Sequence, residues 1–306
     1  MNRRNFCSHA VSAAAGTALG NTADNSGPGT ARYPAAGALF RDVRRYRKID
    51  AHEHVGLGGT VDDQLKMADR LGIEKMVISK PVTVESRTAV TPEEFRKGND
   101  LVLEAMKQHP DRYLGLVHIN PYFPKESLEE IRRCTDRGMA GLKVYYQVKI
   151  NDPLFFPIIE KAIDLKMILL VHSHCGIGVG GRLTQYGNIQ PNASVPEDFA
   201  DAARRYPEAM FQYAHLGGGG DWEYALKTIR DFPNIYADTS GSNNEAGIVD
   251  YACRMLGEDR LFFGTDSSYY QGVGAILSSG LNDAQRKKIF FTNFNEILRK
   301  SGRHVS

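Results

Sequence analysis

The chain has 306 residues, 42% of them hydrophobic and 24% charged, with a formal net charge of +2. This is the balance of an ordinary globular chain. The basic excess sits at the front (Arg3, Arg4, Arg41, Arg44, Arg45, Arg47, Lys48) with no basic stripe interleaved with aromatics further on, so no nucleic-acid partner is expected. No apolar run reaches the roughly 18 residues of a membrane span, and no stable membrane anchor is expected.

The first residues, Met1-Asn2-Arg3-Arg4-Asn5-Phe6, precede a weakly apolar, alanine-rich stretch from Ala10 to Leu19. An arginine pair, a nearby aromatic and a mildly hydrophobic core resemble a twin-arginine export signal. Small residues at Gly20 and Ala23 suit cleavage, so residues 1–23 read as a signal peptide and the mature protein as periplasmic or extracellular. Residues 24–45 read as linker, because the run from Asn21 to Gly37 is rich in Pro, Gly, Ser and Thr. Four cysteines (Cys7, Cys134, Cys175, Cys253) form no C-x-x-C pair and are too scattered for a disulfide scaffold. Cys134 and Cys253 fall on predicted helices, where they read as small apolar packing residues, a bridge between the two being the alternative.

From Tyr46 onward, short apolar runs alternate with amphipathic stretches. The strands are expected at Lys48–His54, Lys75–Ser79, Tyr113–Ile119, Ala140–Tyr146, Met167–Ser173, Met210–Ala214, Ile235–Thr239 and Leu261–Gly264. The helices between and after them are expected at Val61–Leu71, Thr91–Gln108, Lys125–Arg137, Pro153–Leu165, Pro196–Tyr206, Trp222–Phe232, Glu245–Leu256 and Asp283–Phe291. Thr91-Pro92-Glu93-Glu94 carries a cap, a proline in the first turn and acids at the positive end of the helix dipole. Near-continuous apolar strands imply burial on both faces of a parallel sheet. Eight strand-then-helix units close naturally into a barrel of about 250 residues. The expected fold is thus α/β: a single-domain (β/α)8 TIM barrel over residues 46–303. The competing doubly wound sheet lacks its glycine-rich phosphate loop after the first strand.

In such a barrel the functional groups stand where strands end. The first strand ends Asp50-Ala51-His52-Glu53-His54, the fifth Val171-His172-Ser173-His174, the sixth Ala214-His215, and the eighth Gly264-Thr265-Asp266. Alternation along a strand puts His52 and His54 on one face, the interior, and turns Glu53 outward toward the helices. The two imidazoles, about 7 Å apart along the backbone, can converge on one cation. A third imidazole and a carboxylate arrive from the fifth and eighth strands. Three histidines and one aspartate suit one divalent metal, Zn2+ first and Mn2+ or Fe2+ less strongly, with a position left for water.

The segments Ile49–Gly56, Gly141–Tyr145, Leu169–His174, Ala214–Gly218, Phe262–Ser267 and Thr292–Leu298 together resemble the amidohydrolase superfamily. Within it the chain is similar to the amidohydrolase-related (amidohydrolase 2) group, which contains both hydrolases and decarboxylases. The resemblance runs from about Arg47 to Lys300. It implies that His52, His54, His172 and Asp266 ligate the metal and that His215 stands beside the reacting groups. His174 shares the face of His172 and is an alternative ligand or a substrate contact. Lys143 has two readings: a substrate-facing lysine, or a carboxylated lysine bridging two metals as in binuclear members of the superfamily.

The expected chemistry is hydrolysis of an amide, lactone or ester by an activated water. Asp266 would take and return the proton and His215 would polarise the carbonyl. The same residues would serve the alternative, non-oxidative loss of CO2 from a small carboxylic or aromatic acid. A barrel that binds without turnover is the third reading. The expected partner is a small-molecule substrate, and homo-oligomerisation is left open. Specificity is expected from the loops, above all Cys175–Val195, where Arg182 could clamp a carboxylate, and from His118 at the end of the third strand.

Overall fold

In the computed structural model, which describes residues 36–57, 59–80, 90–174, 192–216, 221–241 and 245–306, the short apolar runs are the strands of one parallel sheet. Arg3, Arg4, Cys7, Cys175 and Arg182, and with them the export segment and most of the loop after the fifth strand, lie outside the described residues.

The elements in chain order are α1 (Ala36–Arg45), β1 (Ile49–His54), α2 (Val61–Leu71), β2 (Lys75–Ser79), α3 (Pro92–Gln108), β3 (Tyr113–Ile119) and α4 (Pro124–Thr135). There follow β4 (Gly141–Val144), α5 (Phe156–Asp164), β5 (Ile168–Val171), α6 (Pro196–Arg205), β6 (Met210–Tyr213), α7 (Trp222–Ile229) and β7 (Ile235–Asp238). The chain closes with α8 (Ile248–Leu256), β8 (Leu261–Phe262), α9 (Tyr269–Ser278), α10 (Asp283–Lys287) and α11 (Asn293–Lys300). The sheet runs β1 to β8 in sequence order. Ala51 N–H donates to the Phe263 carbonyl at 2.8 Å, and Asp266 N–H to the His52 carbonyl at 2.8 Å, which joins the last strand to the first. This is a single-domain (β/α)8 barrel.

Local chemistry starts α2 and α3 within a residue of the expected positions, whereas α8 begins at Ile248 and not at Glu245. Thr60 caps α2 in a reciprocal box with Asp63, and Gly72, at φ 67°, ends that helix in the left-handed conformation. Thr91 and Glu94 form the same box at the start of α3. Three helices were not anticipated. α1 occupies part of the stretch read as linker, and Arg45 and Tyr46 tie its end to Asp283. α9 carries two glycines in a short apolar segment. A π-helical turn, Lys288–Thr292, leads directly from α10 into α11, so the predicted last helix is in fact longer.

Two packed shells follow from strand alternation. The inner one holds Ile49, Ala51, Val77, Leu116, Ile168, Leu170 and Phe262, and α11 adds Phe294, Ile297 and Leu298 to it. The outer one lies between sheet and helices and includes Met76, Ile78, Val117, Leu142, Phe211 and Phe263. Cys134 is buried on α4 and Cys253 half-buried on α8; both are free thiols. No helix among the described residues is long and apolar enough to cross a membrane.

One irregularity matters for function. In the pairing of β1 with β2, Asp50 is opposite Met76 but Glu53 is opposite Ile78, so β1 holds one extra residue. A bulge of this kind turns two successive side chains to one face. Ala51 and His52 therefore both point inward, and Asp50 and Glu53, three residues apart, both point outward.

Candidate active site

The strand ends converge. His52 and His54 come from β1, Lys143 from β4, Asp238 from β7, and His172, His215 and Asp266 from the residues just past β5, β6 and β8. All except Asp266 are buried, and Asp266 is partly so.

His52 Nδ1 lies 3.0 Å from Asp238 Oδ2, and its Nε2 lies 3.1 Å from Lys143 Nζ. His54 Nδ1 lies 2.9 Å from Ser79 Oγ, and its Nε2 3.0 Å from Asp266 Oδ1. Because a carboxylate only accepts, the Asp238 contact fixes the proton of His52 on Nδ1 and leaves the Nε2 lone pair for a ligand role. The Ser79 hydroxyl, which can donate or accept, holds the His54 ring through Nδ1 and turns Nε2 toward Asp266. His52, His54 and Asp266 each offer one donor atom, all within 4.8 Å of one another. This histidine–carboxylate group is able to hold a divalent metal, and its donor chemistry fits such an ion.

A second group, His52, His215 and Asp238, meets the same distance criterion. Asp238, however, already accepts from His52 Nδ1, Gln212 Nε2 at 2.8 Å, His215 N at 3.2 Å, Ser240 N at 3.1 Å and the Ser240 hydroxyl. Its lone pairs are committed to orienting β1 and the turn after β6.

The electrostatics favour ligation. Burial pushes His54 down to about 4, against the opposing effect of its hydrogen bond to the Asp266 carboxylate. Burial likewise pushes His215 down to about 3. Both rings are neutral near pH 7, the form a metal requires. Burial alone would raise the Asp266 carboxyl, but the rings of His52, His54 and His215 outweigh it and hold it well below the usual carboxylate range. Burial lowers Lys143 to about 8, with Asp266 and Asp238 partly restoring its charge.

The other residues singled out in the sequence divide as follows. His215 Nε2 is 3.1 Å from His172 Nδ1, and the ring of Tyr145 lies against His172 with centroids 4.4 Å apart. His174 is buried, its backbone N–H bonded to the Ser194 carbonyl at 2.9 Å. His118 is buried beside Lys143 on the neighbouring strand, its Nδ1 3.3 Å from the Lys143 carbonyl, and its Nε2 has no hydrogen-bond partner among the described residues. Burial drives its ring down to about 3. Asp238, Ser79, Gln212, Ser240 and Tyr145 were not read from the sequence as site residues. Asp238 had a usable signal, since it is the last residue of a strand at the same end of the barrel.

Backbone geometry marks the same place. Among the described residues, four non-glycine residues have positive φ, and three of them are His215 (69°), Asp266 (47°) and Ser267 (67°). Such conformations persist where the surroundings over-determine them, and they concentrate at functional sites.

A (β/α)8 barrel with histidines and a carboxylate gathered at its strand ends defines the class of metal-dependent barrel enzymes. The amidohydrolase family model matches residues 49–293, and the chain belongs to that family. It is 24% identical over 290 residues to a gamma-resorcylate decarboxylase from a Rhizobium species, covering 79% of this chain and 88% of that protein. It is 22% identical over 205 residues to the 2-amino-3-carboxymuconate-6-semialdehyde decarboxylase of Dictyostelium discoideum, there spanning 57% of this chain and only 56% of the relative. A solved dihydroxybenzoic acid decarboxylase from a Polaromonas species, with bound manganese and the inhibitor 2-nitroresorcinol, superposes with a TM-score of 0.67 at 20% identity, over 83% of this chain and 97% of that one. At that identity the superposition speaks for the fold alone.

Proposed function

We propose that the chain is a metal-dependent decarboxylase of a small aromatic or unsaturated carboxylic acid. Hydrolysis of an amide, lactone or ester at the same centre is the second reading. His52, His54 and Asp266 hold the metal, Zn2+ first and Mn2+ or Fe2+ next, with His172 as a further ligand from β5. When bound, the ion supplies a Lewis-acidic positive charge at the barrel mouth. The observation that carries the reading is the convergence of His52, His54 and Asp266 within 4.8 Å, with both imidazoles pinned through Nδ1.

Around that point the chain's own groups have separable tasks. Lys143 and His118 lie on adjacent strands of the inner wall and bind the substrate's acidic and protic groups. His215, next to Asp266, relays a proton from solvent to the carbon whose bond to the carboxyl group breaks as CO2 leaves. In the hydrolytic reading the same pair would instead take a proton from water and return it to the leaving group. The relatives above favour decarboxylation, because they are decarboxylases. Twin-arginine export of this enzyme is proposed on the Arg3-Arg4 pair, Phe6 and the weakly apolar stretch from Ala10 to Leu19.

Elemental analysis of purified wild type beside His52→Ala, with a turnover panel of 2,6-dihydroxybenzoate, a lactone and an aryl ester, tests this. The expected result is about one metal per wild-type chain, nearly none in the variant, and CO2 release from the aromatic acid. Hydrolysis of the lactone or ester alone would transfer the assignment to the second reading. A metal content unchanged by His52→Ala would remove both.

A further inference from the structure

Asp50 and Glu53 are buried carboxylates that the chemistry above does not use. The bulge in β1 puts them on the face opposite His52 and His54, toward the loop that follows β8. That loop is Thr265-Asp266-Ser267, and its three consecutive amides all donate to β1. Thr265 N–H goes to Asp50 Oδ1 at 3.0 Å, Asp266 N–H to the His52 carbonyl at 2.8 Å, and Ser267 N–H to Glu53 Oε2 at 2.9 Å. The hydroxyls repeat the pattern. Thr265 Oγ1 lies 2.5 Å from Asp50 Oδ2 and 3.0 Å from Glu53 Oε2, and Ser267 Oγ donates to Glu53 Oε1 at 2.7 Å.

We propose that Asp50 and Glu53 are positioning residues that set the place of the Asp266 carboxylate in the metal site. The proposal rests on the assignment of Asp266 to that site. Asp266 and Ser267 both have positive φ, a region that non-glycine residues avoid unless held there. Because β8 ends at Phe262, the strand ladder gives them only the single bond from Asp266 N–H to the His52 carbonyl. What holds them is the outward side of β1, through Asp50 on one side of Asp266 and Glu53 on the other. Glu53 is braced in turn by His54 N–H at 2.8 Å and by Gln64 of α2 at 3.4 Å. One strand thus supplies two metal donors from its inner face and aligns the third from its outer face. A carboxyl group suits the task, because its two oxygens together accept from several N–H and O–H donors, whereas a carboxamide has one accepting oxygen and an NH2 that only donates.

Glu53→Gln keeps the shape but turns an NH2 group toward at least one of these donors. Ser267→Ala removes only the hydroxyl contact and keeps the proposal testable should the first variant fold poorly. Zn2+ is titrated into each metal-free, folded protein against a chelator of known affinity, with Asp266→Ala as reference. The expected result is a dissociation constant raised about 10- to 100-fold in Glu53→Gln and by a smaller factor in Ser267→Ala, with Asp266→Ala weakest. A merely structural role would lower the melting temperature of the metal-free protein and leave Zn2+ affinity where it was. If both variants bind Zn2+ within about threefold of wild type while Asp266→Ala loses it, the positioning role is overturned and the metal site stands. If Asp266→Ala binds as wild type does, the site assignment fails and the positioning role with it.

Discussion

Asp238→Asn is the most informative single change outside the metal donors. The carboxylate is fully buried and accepts from His52 Nδ1, Gln212 Nε2, His215 N, Ser240 N and the Ser240 hydroxyl. Asparagine has one carbonyl oxygen and one NH2. Placed one way, the NH2 meets His52 Nδ1–H and Gln212 Nε2–H; flipped, it meets the amides of His215 and Ser240, while the Ser240 hydroxyl can turn and accept. Either orientation leaves two buried donors unmet, at roughly 1–3 kcal/mol each. The expected loss is therefore about 4 kcal/mol, or a fall of about 12 °C in melting temperature at roughly 3 °C per kcal/mol for a chain of this size. Because His52 also loses the acceptor that fixes its tautomer, metal affinity should fall about 10- to 100-fold. Urea unfolding of the metal-free proteins isolates the first effect from ligand stabilisation, and chelator competition measures the second. A metal-free variant within 1 kcal/mol of wild type, binding metal as wild type does, would refute the reasoning.

Three further outcomes are expected. Burial lowers Lys48 to about 8, and its ammonium meets the carbonyls of Val43 and Tyr46 and the ring of Phe290. The unfolded chain thus binds more protons than the folded one between about pH 8 and the ordinary lysine value, and stability from this residue rises with pH across that window. Lys48→Met should remove that rise, worth about 3 kcal/mol in full, and equal slopes of stability against pH for variant and wild type would sink it. Gly98 of α3 packs against β2's exit, where an added Cβ would lie 2.7 Å from the Lys80 carbonyl. Gly98→Ala should therefore cost about 1–2 kcal/mol net, overpacking outweighing the helix propensity gained, and a more stable variant in urea would contradict this. Replacing Arg3 and Arg4 with lysines should keep the enzyme inside the cell, as fractionation and immunoblotting can check.

By itself the sequence determined the alternation of strands and helices, since periodicity and capping are local: Thr91 with Glu94, or the apolar run from Ile168 to Val171, need no distant partner to be read. The His52-x-His54 pair and the strand-end residues His172, His215 and Asp266 were legible for the same reason. Tertiary structure alone decided the roles of Asp50, Ser79 and Asp238. A lone aspartate or serine at a strand end looks like a turn cap until its partner, supplied by another strand, is known. The β1 bulge was likewise hidden, because strict alternation assigns Asp50 to the face of His52 and only pairing with β2 reveals the extra residue. Ligand identity is written in short segments, whereas the orientation of each ligand depends on contacts between residues far apart in the chain.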